Sequence, residues 1–172
     1  IIRRKFPARE HESPGIVGSL REFVGWYRER REDTRERAMN LRKLHGKVAL
    51  LVDPDDKSAR VLEWRLGSLG CTVLRARTGA SGLAHASRYR RDFVIADALL
   101  PDVSAVEFYK SLNRRDIPVI YVGVLYAQWD ELHRLGPNVR CLSKPFDPDE
   151  AAALAGLMLR KLEEDVESSN HS

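Results

Sequence analysis

The sequence predicts an α/β fold in which a parallel sheet is covered by helices on both faces. Five short apolar runs, each bounded by Gly, Pro, Asp or a charged residue, alternate with segments of helical periodicity. Strict alternation of this kind is typical of a doubly wound sheet. The chain has 172 residues, which is the size of one domain with an appendage, so we do not expect two full domains.

The chain begins with a helical extension ahead of the predicted sheet. Residues 1–18 show no apolar period, which favours a flexible segment. Residues 19–46 then predict one basic amphipathic helix, because apolar side chains recur at spacings of three and four. We expect this helix to pair with a second copy, giving a homodimer, or to dock on the domain that follows. The residues expected to make these contacts are Leu20, Phe23, Tyr27, Leu41 and Leu44.

The predicted domain spans residues 47–167, and residues 168–172 are expected to be a disordered tail. The apolar runs that predict strands are Val48–Val52, Cys71–Leu74, Phe93–Ala96, Val119–Val122 and Val139–Leu142. The segments whose periodicity predicts helices are 57–69, 79–90, 104–114, 126–135 and 148–165. Ligands of such sheets bind at the carboxyl ends of the strands.

Composition and charge exclude several classes of function. No run approaches the roughly 18 apolar residues of a membrane span. Two cysteines and the lack of a leader-like start predict a cytoplasmic protein. No nucleophile–base pair, Walker loop or dinucleotide fingerprint is present, so an enzyme in its own right is not expected.

The net charge of +4 resides in the N-terminal quarter. Residues 1–46 carry 12 Lys and Arg against 7 Asp and Glu, and the remainder is near neutral. The arginines alternate with acidic residues at i,i+3 and i,i+4 spacing, which fits ion pairing within the helix better than a stripe that follows phosphates. A nucleic-acid-associated regulator that acts through this helix is therefore an alternative, and nucleic acid is not the expected partner.

Charged residues lie at the ends of three predicted strands. Asp53 follows the first strand, Asp97 follows the third and Lys144 follows the fifth. Because the carboxyl ends of parallel strands share one edge, these side chains should lie close together. Mg²⁺ would relieve the repulsion between the carboxylates. A lysine opposite them would complete a site for a phosphoryl group.

Two stretches resemble motifs of one protein family. Residues 92–101 are similar to the third strand and phosphoacceptor loop of receiver domains of two-component response regulators, and residues 142–146 are similar to their Lys-Pro motif. The resemblance extends over residues 47–166. It implies a flavodoxin-like (βα)5 fold with a doubly wound parallel five-stranded sheet of order 2-1-3-4-5. It further implies a histidine kinase that donates a phosphoryl group to Asp97.

The resemblance also implies the ligands of the site. Mg²⁺ would be held by Asp53, Asp97 and the backbone carbonyl of Leu99, and Lys144 would contact the phosphoryl oxygens. The peptide bond between Lys144 and Pro145 is expected to be cis, as is common in the family.

Several positions depart from the family's pattern. The second acidic residue after the first strand, which usually meets the metal, is replaced by Pro54, so Asp55 or Asp56 would have to take its place. The hydroxyl residue after the fourth strand is replaced by Gly123, and the switch aromatic of the fifth strand by Cys141. The segment that follows Gly123 is short, which predicts a short or irregular fourth helix.

These departures favour an atypical, pseudo-receiver-like module of phosphorelay signal transduction. It would act through protein–protein interaction, with Asp97 as candidate phosphoacceptor and without the switch residues. The alternative is a fully competent, Mg²⁺-dependent receiver.

Three expectations concern individual tryptophans and cysteines. Trp64 is expected to pack in the core beneath the first helix of the domain. Trp129, in the irregular fourth helix, is a candidate anchor for a partner. Cys71 and Cys141 fall at opposite edges of the implied sheet, which excludes a disulfide between them.

Overall fold

The strands of the domain form one parallel sheet in the order β2-β1-β3-β4-β5. The computed structural model describes residues 33–169. The strands are β1 (Val48–Val52), β2 (Thr72–Ala76), β3 (Phe93–Asp97), β4 (Val119–Val122) and β5 (Val139–Leu142). The predicted fold and strand order are confirmed.

The helices lie between and after the strands. The chain divides into two units after Glu36, and the sheet with its covering helices belongs to the second unit. Helix α1 ends at residue 42 and includes residue 33, the first described residue. The others are α2 (Asp56–Ser68), α3 (Gly79–Arg88), α4 (Ala105–Ser111), α5 (Trp129–His133) and α6 (Pro148–Ser169).

Side chains that alternate along the central strands build two core layers. Leu50 of β1 points into the layer beneath α3, α4 and α5, whereas its neighbour Leu51 points into the layer beneath α2 and α6. Strands β3 and β4 are buried along their whole length. Apolar residues on both faces are what a parallel sheet covered by two helical layers requires.

The predicted boundaries hold best for the most apolar strands. The bounds of β1, β4 and β5 match the prediction, whereas β2 begins one residue later and continues to Ala76. The fourth helix is short and irregular as predicted, since a 3₁₀ turn at Tyr126–Gln128 precedes the five residues of α5. No helix within residues 33–169 is long and apolar enough to cross a bilayer.

The end of α1 packs on the domain. Leu44 is fully buried in the layer beneath α2 and α6, and Leu41 packs partly buried against it. At Gly156 of α6 an added Cβ would lie 1.8 Å from the carbonyl oxygen of Asn40, so the two backbones meet directly. Lys43 also forms an ion pair with Glu163 of α6. Leu41 and Leu44 thus pack on the domain, whereas the role of the N-terminal helix as a docking or pairing element stays a prediction.

The remaining contacts predicted for the N-terminal helix, at Leu20, Phe23 and Tyr27, lie outside the described residues, as do the segments 1–18 and 170–172. The domain boundaries and the homodimer stay predictions. In the described part of the chain both cysteines are free, as expected.

The expectation for Trp64 was wrong, and that for Trp129 stays a prediction. Trp64 is 73% exposed, because the buried stripe of α2 runs through Ala59, Leu62 and Leu66 and leaves Trp64 on the opposite side. Trp129 is partly buried against the core and stacks on His133, with ring centroids 5.1 Å apart. The exposed aromatic residue of this region is its neighbour Tyr126, which is 97% exposed.

Candidate functional site

The predicted site residues meet at the carboxyl edge of the sheet. β1 and β3 are adjacent strands, so Asp53 after β1 lies beside Asp97 at the end of β3. Lys144 reaches the same edge from the end of β5, and its Nζ donates a hydrogen bond of 2.7 Å to Oδ2 of Asp97. The structure therefore brings together the three charged residues that the sequence placed at strand ends.

Asp97 is almost fully buried and both of its carboxylate oxygens accept a hydrogen bond. Oδ1 accepts from the backbone N–H of Leu99 at 2.8 Å, and Oδ2 accepts from Lys144. Its side chain is only 7% exposed. The ion pair with Lys144 offsets part of the cost of burying this charge.

Asp53 is fully buried, and one of its oxygens is left without a partner. Oδ1 accepts from the backbone N–H of Asp55 at 2.8 Å, whereas Oδ2 has no hydrogen-bond partner in the described part of the chain. Burial raises the pKa of Asp53 and the charge of Asp97 raises it further, although the Asp55 amide, the Ser58 side chain and the Lys144 charge act in the opposite direction. An unpartnered buried carboxylate oxygen of this kind suits a cation or an ordered water.

Lys144 supplies the positive charge that acts on the Asp53 carboxyl. Burial lowers the pKa of Lys144, but its hydrogen bond to Asp97 and the charges of Asp97, Asp53 and Asp55 outweigh burial and raise it overall. The ammonium is therefore charged at neutral pH. The bond between Lys144 and Pro145 is cis, as expected.

Gly123 follows β4 at the position where a hydroxyl residue was expected from the resemblance. Its φ is +71°, a conformation that costs an L-residue about 1–2 kcal/mol. A Cβ added here would lie 3.1 Å from Cε and 3.5 Å from Nζ of Lys144. The stem of Lys144 thus lies over Gly123 and fills the space in which a side chain would begin.

Cys141 and Tyr121 are paired across β4 and β5 behind Gly123. Cys141 is buried, and burial raises the pKa of its thiol to about 11. Tyr121 is fully buried, and its hydroxyl donates a 2.7 Å hydrogen bond to the carbonyl oxygen of Ala105 at the start of α4. Tyr121 was not predicted from the sequence. The signal that could have indicated its role is a single phenol in an otherwise aliphatic strand.

The two acidic residues after Asp53 make a helix cap and ion pairs. Asp55 caps α2 by accepting from the backbone N–H of Lys57 at 3.0 Å. Asp56 forms ion pairs with Arg75 and Arg77 at the end of β2. The structure therefore does not bring Asp56 to the site, because β2 is the neighbour of β1 and supplies two guanidinium groups there. Pro54 has no side-chain donor.

A cavity of about 550 Å³ opens beside Lys144. It lies between the start of α2 and the loop before α6. Asp55, Ser58, Val61 and Phe146 are among its lining residues. The cavity gives solvent and small molecules access to the ammonium side of the site.

A second, unpredicted aspartate anchors the loop after Asp97. The carboxylate of Asp102 accepts hydrogen bonds from the backbone N–H groups of Gly79 and Ala80, at 2.7 and 2.8 Å. These bonds, that from Ala80 above all, lower the pKa of Asp102. Asp102 therefore ties the loop to the start of α3 and stabilises the surroundings of Leu99. Only the strand order reveals this contact, because Asp102 and Gly79 are far apart in sequence.

The donor set fits Mg²⁺ with fewer carboxylates than the sequence prediction allowed. No group of three His, Cys, Asp or Glu side chains suited to a metal occurs within residues 33–169. Asp53, through its unpartnered Oδ2, Asp97 and the carbonyl of Leu99 remain as oxygen donors. Because Mg²⁺ usually keeps several waters and binds one or two carboxylates, this set is sufficient in kind.

Comparisons with known proteins agree with the fold. A family model, the response regulator receiver domain, matches residues 49–155. The chain is 30% identical over 112 residues to the probable transcriptional regulator ycf29 of Porphyra purpurea, covering 61% of this chain and 53% of that protein. It is 27% identical over 128 residues to the DNA-binding dual master transcriptional regulator RpaA of Synechocystis, covering 72% and 53%.

Solved structures support the same fold. The CheY-like response regulator receiver domain protein of Methanospirillum hungatei JF-1 superposes with a TM-score of 0.63 at 23% identity, covering 69% of this chain and 98% of that one. The chain spans about half the length of the curated relatives it matches. The family match covers more than half of the chain, so this protein belongs to the response regulator receiver domain family, whose members act in two-component signalling.

Proposed function

We propose that the chain is an atypical receiver, in which Asp97 is the phosphoacceptor and the signal leaves through protein–protein contacts without a hydroxyl–aromatic relay. One observation carries the proposal. The ammonium of Lys144 bonds Asp97 at 2.7 Å while its stem covers Gly123, where an added Cβ would lie 3.1 Å from Cε. The partner that donates the phosphoryl group is a histidine kinase, as for receiver domains in general.

The chemistry proposed for Asp97 is acceptance of a phosphoryl group. A carboxylate oxygen of Asp97 attacks the phosphorus of a phosphohistidine, and the P–N bond breaks with its electron pair left on the imidazole. The amide of Leu99 holds Oδ1 in place during the attack. Lys144 exchanges its bond to Oδ2 for the phosphoryl oxygens, whose charge it stabilises. Mg²⁺ held by Asp53, Asp97 and the Leu99 carbonyl would neutralise further phosphoryl charge.

The route of the signal then differs from a hydroxyl relay. Gly123 has no hydroxyl to move, and the thiol of Cys141 is small and buried. Lys144 itself must move, and it lies in the loop that leads into α6. Two aspartates that follow it, Asp147 and Asp149, pair with Arg37 of α1 at 3.7 and 3.8 Å. We infer that phosphorylation alters the contact between α1 and α6 more than the region of α5.

Phosphorylation and its structural effect can be tested together on the full chain. Acetyl phosphate with Mg²⁺ should label the chain, and D97A should abolish the label in intact-mass spectra. Beryllofluoride should shift the amide NMR signals of residues 143–149 and 37–44 more than those of residues 123–135. D165N serves as the control, because it removes an exposed carboxylate near the C-terminal end of α6 and leaves the strand ends unaltered.

Two outcomes contradict different parts of the proposal. No label and no beryllofluoride shift would exclude Asp97 as phosphoacceptor and leave an interaction module alone. Large shifts across residues 123–135 would instead favour the alternative, a fully competent receiver with a conventional output face. The unpartnered Oδ2 of Asp53 is the observation that favours this alternative.

Nucleic acid and self-association remain separate predictions. RpaA is described as DNA-binding, but this chain spans only about half of it. The alternative of a nucleic-acid-associated regulator that acts through the N-terminal helix falls largely on residues outside the described part. The homodimer, the cytoplasmic location and the expectation that the chain is no enzyme in its own right likewise stay predictions.

A further inference from the structure

The near-neutral domain sorts its charges between the two edges of the sheet. We call the edge at which the strands begin the amino edge. Five segments lead into its strands. The segment before β2, 69–71, is uncharged, and the other four are 42–47, 88–92, 112–118 and 134–138. These segments hold nine Lys and Arg residues and two Asp residues. The segments that follow the strands, 53–55, 77–78, 98–104, 123–125 and 143–147, hold four Asp residues against Arg77 and Lys144. The sum over the sequence hides this separation.

The two central segments of the amino edge form one arginine cluster. They lead into β3 and β4, which are adjacent, and Arg91 joins them by donating a 2.8 Å hydrogen bond to Oδ1 of Asn113. Burial lowers the pKa of Arg91, and the nearby charge of Arg114 lowers it further. Cations are thus packed closely enough here to repel one another.

Acidic residues neutralise only part of this cluster. Arg114 pairs with Asp116 at 2.7 Å, and Arg90 lies 3.7 Å from Asp92 with its side chain 83% exposed. The other two, Arg88 and Arg115, are exposed and make no ion pair with any residue of the described part. A helix C-terminus favours a cation such as Arg88, at the end of α3, but Arg90 and Arg115 lie beyond the helix ends.

An exposed aromatic residue lies between two of the arginines in sequence. Tyr89, between Arg88 and Arg90, is 51% exposed and touches His85 on one side, with ring centroids 5.9 Å apart. Every cation of the two segments is an arginine, whose planar fork matches phosphate oxygens and stacks on rings. Proteins that bind single-stranded nucleic acid without sequence preference combine positively charged side chains with accessible aromatic rings.

We propose that the amino edge, through Arg88, Tyr89, Arg90 and Arg115, binds the backbone and a base of single-stranded nucleic acid. This surface is distinct from the N-terminal helix. It lies at the opposite edge from Asp97, about 17 Å away along five residues of a parallel strand. Binding there leaves the Asp97 site open, so this proposal does not depend on the proposed function.

The test uses the full chain and a fluorescein-labelled 20-nucleotide oligothymidylate, measured by anisotropy from 50 to 200 mM salt. R88Q/R90Q/R115Q should weaken binding about tenfold at 50 mM salt and flatten the salt dependence by about two, since each lost phosphate contact removes about 0.7 from the slope. Y89A should weaken binding about tenfold through lost stacking. The matched control is R28Q/R30Q/R31Q, which removes three arginines from the N-terminal segment.

The outcomes separate this proposal from its rivals. Circular dichroism and the urea denaturation curve should be unchanged in R88Q/R90Q/R115Q, which excludes misfolding as the cause. No binding by the unaltered chain at 50 mM salt, or equal binding by R88Q/R90Q/R115Q, overturns the proposal. Tighter binding to phosphatidylserine vesicles than to the oligonucleotide, lost in the same variant, would assign the surface to a membrane and also overturn it.

Discussion

The two halves of the carboxyl edge of the sheet carry different kinds of side chain at their strand ends. At β1 and β3, Asp53 and Asp97 keep carboxylates buried at the strand ends, each held by a backbone N–H. At β4 and β5, the positions of the hydroxyl and the switch aromatic hold Gly123 and Cys141. We call these the acceptor half and the relay half. Under the proposed function, the acceptor half would supply the groups for phosphoryl chemistry, and the relay half would pass the signal on without a hydroxyl or an aromatic side chain.

The relay half is nevertheless as well packed as the acceptor half. Every residue of β4 is buried, and Tyr121 bonds α4 across the core. Its missing hydroxyl and aromatic are therefore not signs of a loosened fold. The space is occupied by other groups, with Lys144 over Gly123 and Tyr121 behind it. Under the proposed function, the signal would therefore leave the site by another route through an intact scaffold.

Tyr121 should give the largest effect, because the rigidity of the relay half depends on it. Y121A should lower the free energy of unfolding by about 3–5 kcal/mol, since it removes a fully buried ring. Y121F keeps the ring but leaves the Ala105 carbonyl without its donor, at a cost of about 1–3 kcal/mol. Urea denaturation of both variants measures these values. Equal stability of Y121F and the unaltered chain would show that the hydroxyl does not anchor α4.

Substitution of Asp53 should have the opposite effect on stability, because a buried carboxylate oxygen without a partner lowers the free energy of unfolding. D53N retains an acceptor for the Asp55 amide and removes the unpartnered charge, so it should raise the free energy of unfolding by about 1–3 kcal/mol at pH 7. The pKa of Asp53 is raised in the folded state. The unfolded chain therefore loses this proton first, and stability falls as pH rises from the ordinary pKa of an aspartate through the raised one.

Measurement of stability against pH checks both statements. D53N should lack the fall that the unaltered chain shows, and millimolar Mg²⁺ should raise the melting temperature of the unaltered chain but not that of D53N. A less stable D53N would mean that Oδ2 makes a favourable contact in solution. D97N is the matched variant, and it should gain less because it weakens the bond to Lys144.

The sequence predicted the scaffold and the charged strand ends better than it predicted their surroundings. Apolar runs and alternation were sufficient for β1, β4 and β5, and the strand ends placed Asp53, Asp97 and Lys144 correctly. Contacts between elements far apart in sequence were missed, among them the ion pairs of Asp56 with β2 and the sorting of charge between the edges. Trp64 was misassigned because a large apolar residue was taken as buried although it lies off the helix stripe.

Substitution of Gly123 should give the smallest effect on stability. It also tests why this position carries no hydroxyl residue. G123S should lower the free energy of unfolding by about 1–2 kcal/mol, because φ is +71° and its Cβ would press on Lys144. The control G67A, in α2 with no atom within 4 Å of the added Cβ, should instead be stabilising by up to about 1 kcal/mol. Urea denaturation measures both.

The same variant tests whether a hydroxyl alone could restore the relay. With Lys144 over position 123, the serine hydroxyl has no free path to the phosphoryl group, so beryllofluoride shifts in residues 123–135 should stay small in G123S. Large shifts there, with unchanged stability, would mean that the loop rearranges to admit a side chain. The packing of Lys144 and the φ of +71° argue instead that the backbone and the lysine stem would both have to move before position 123 could hold a hydroxyl residue.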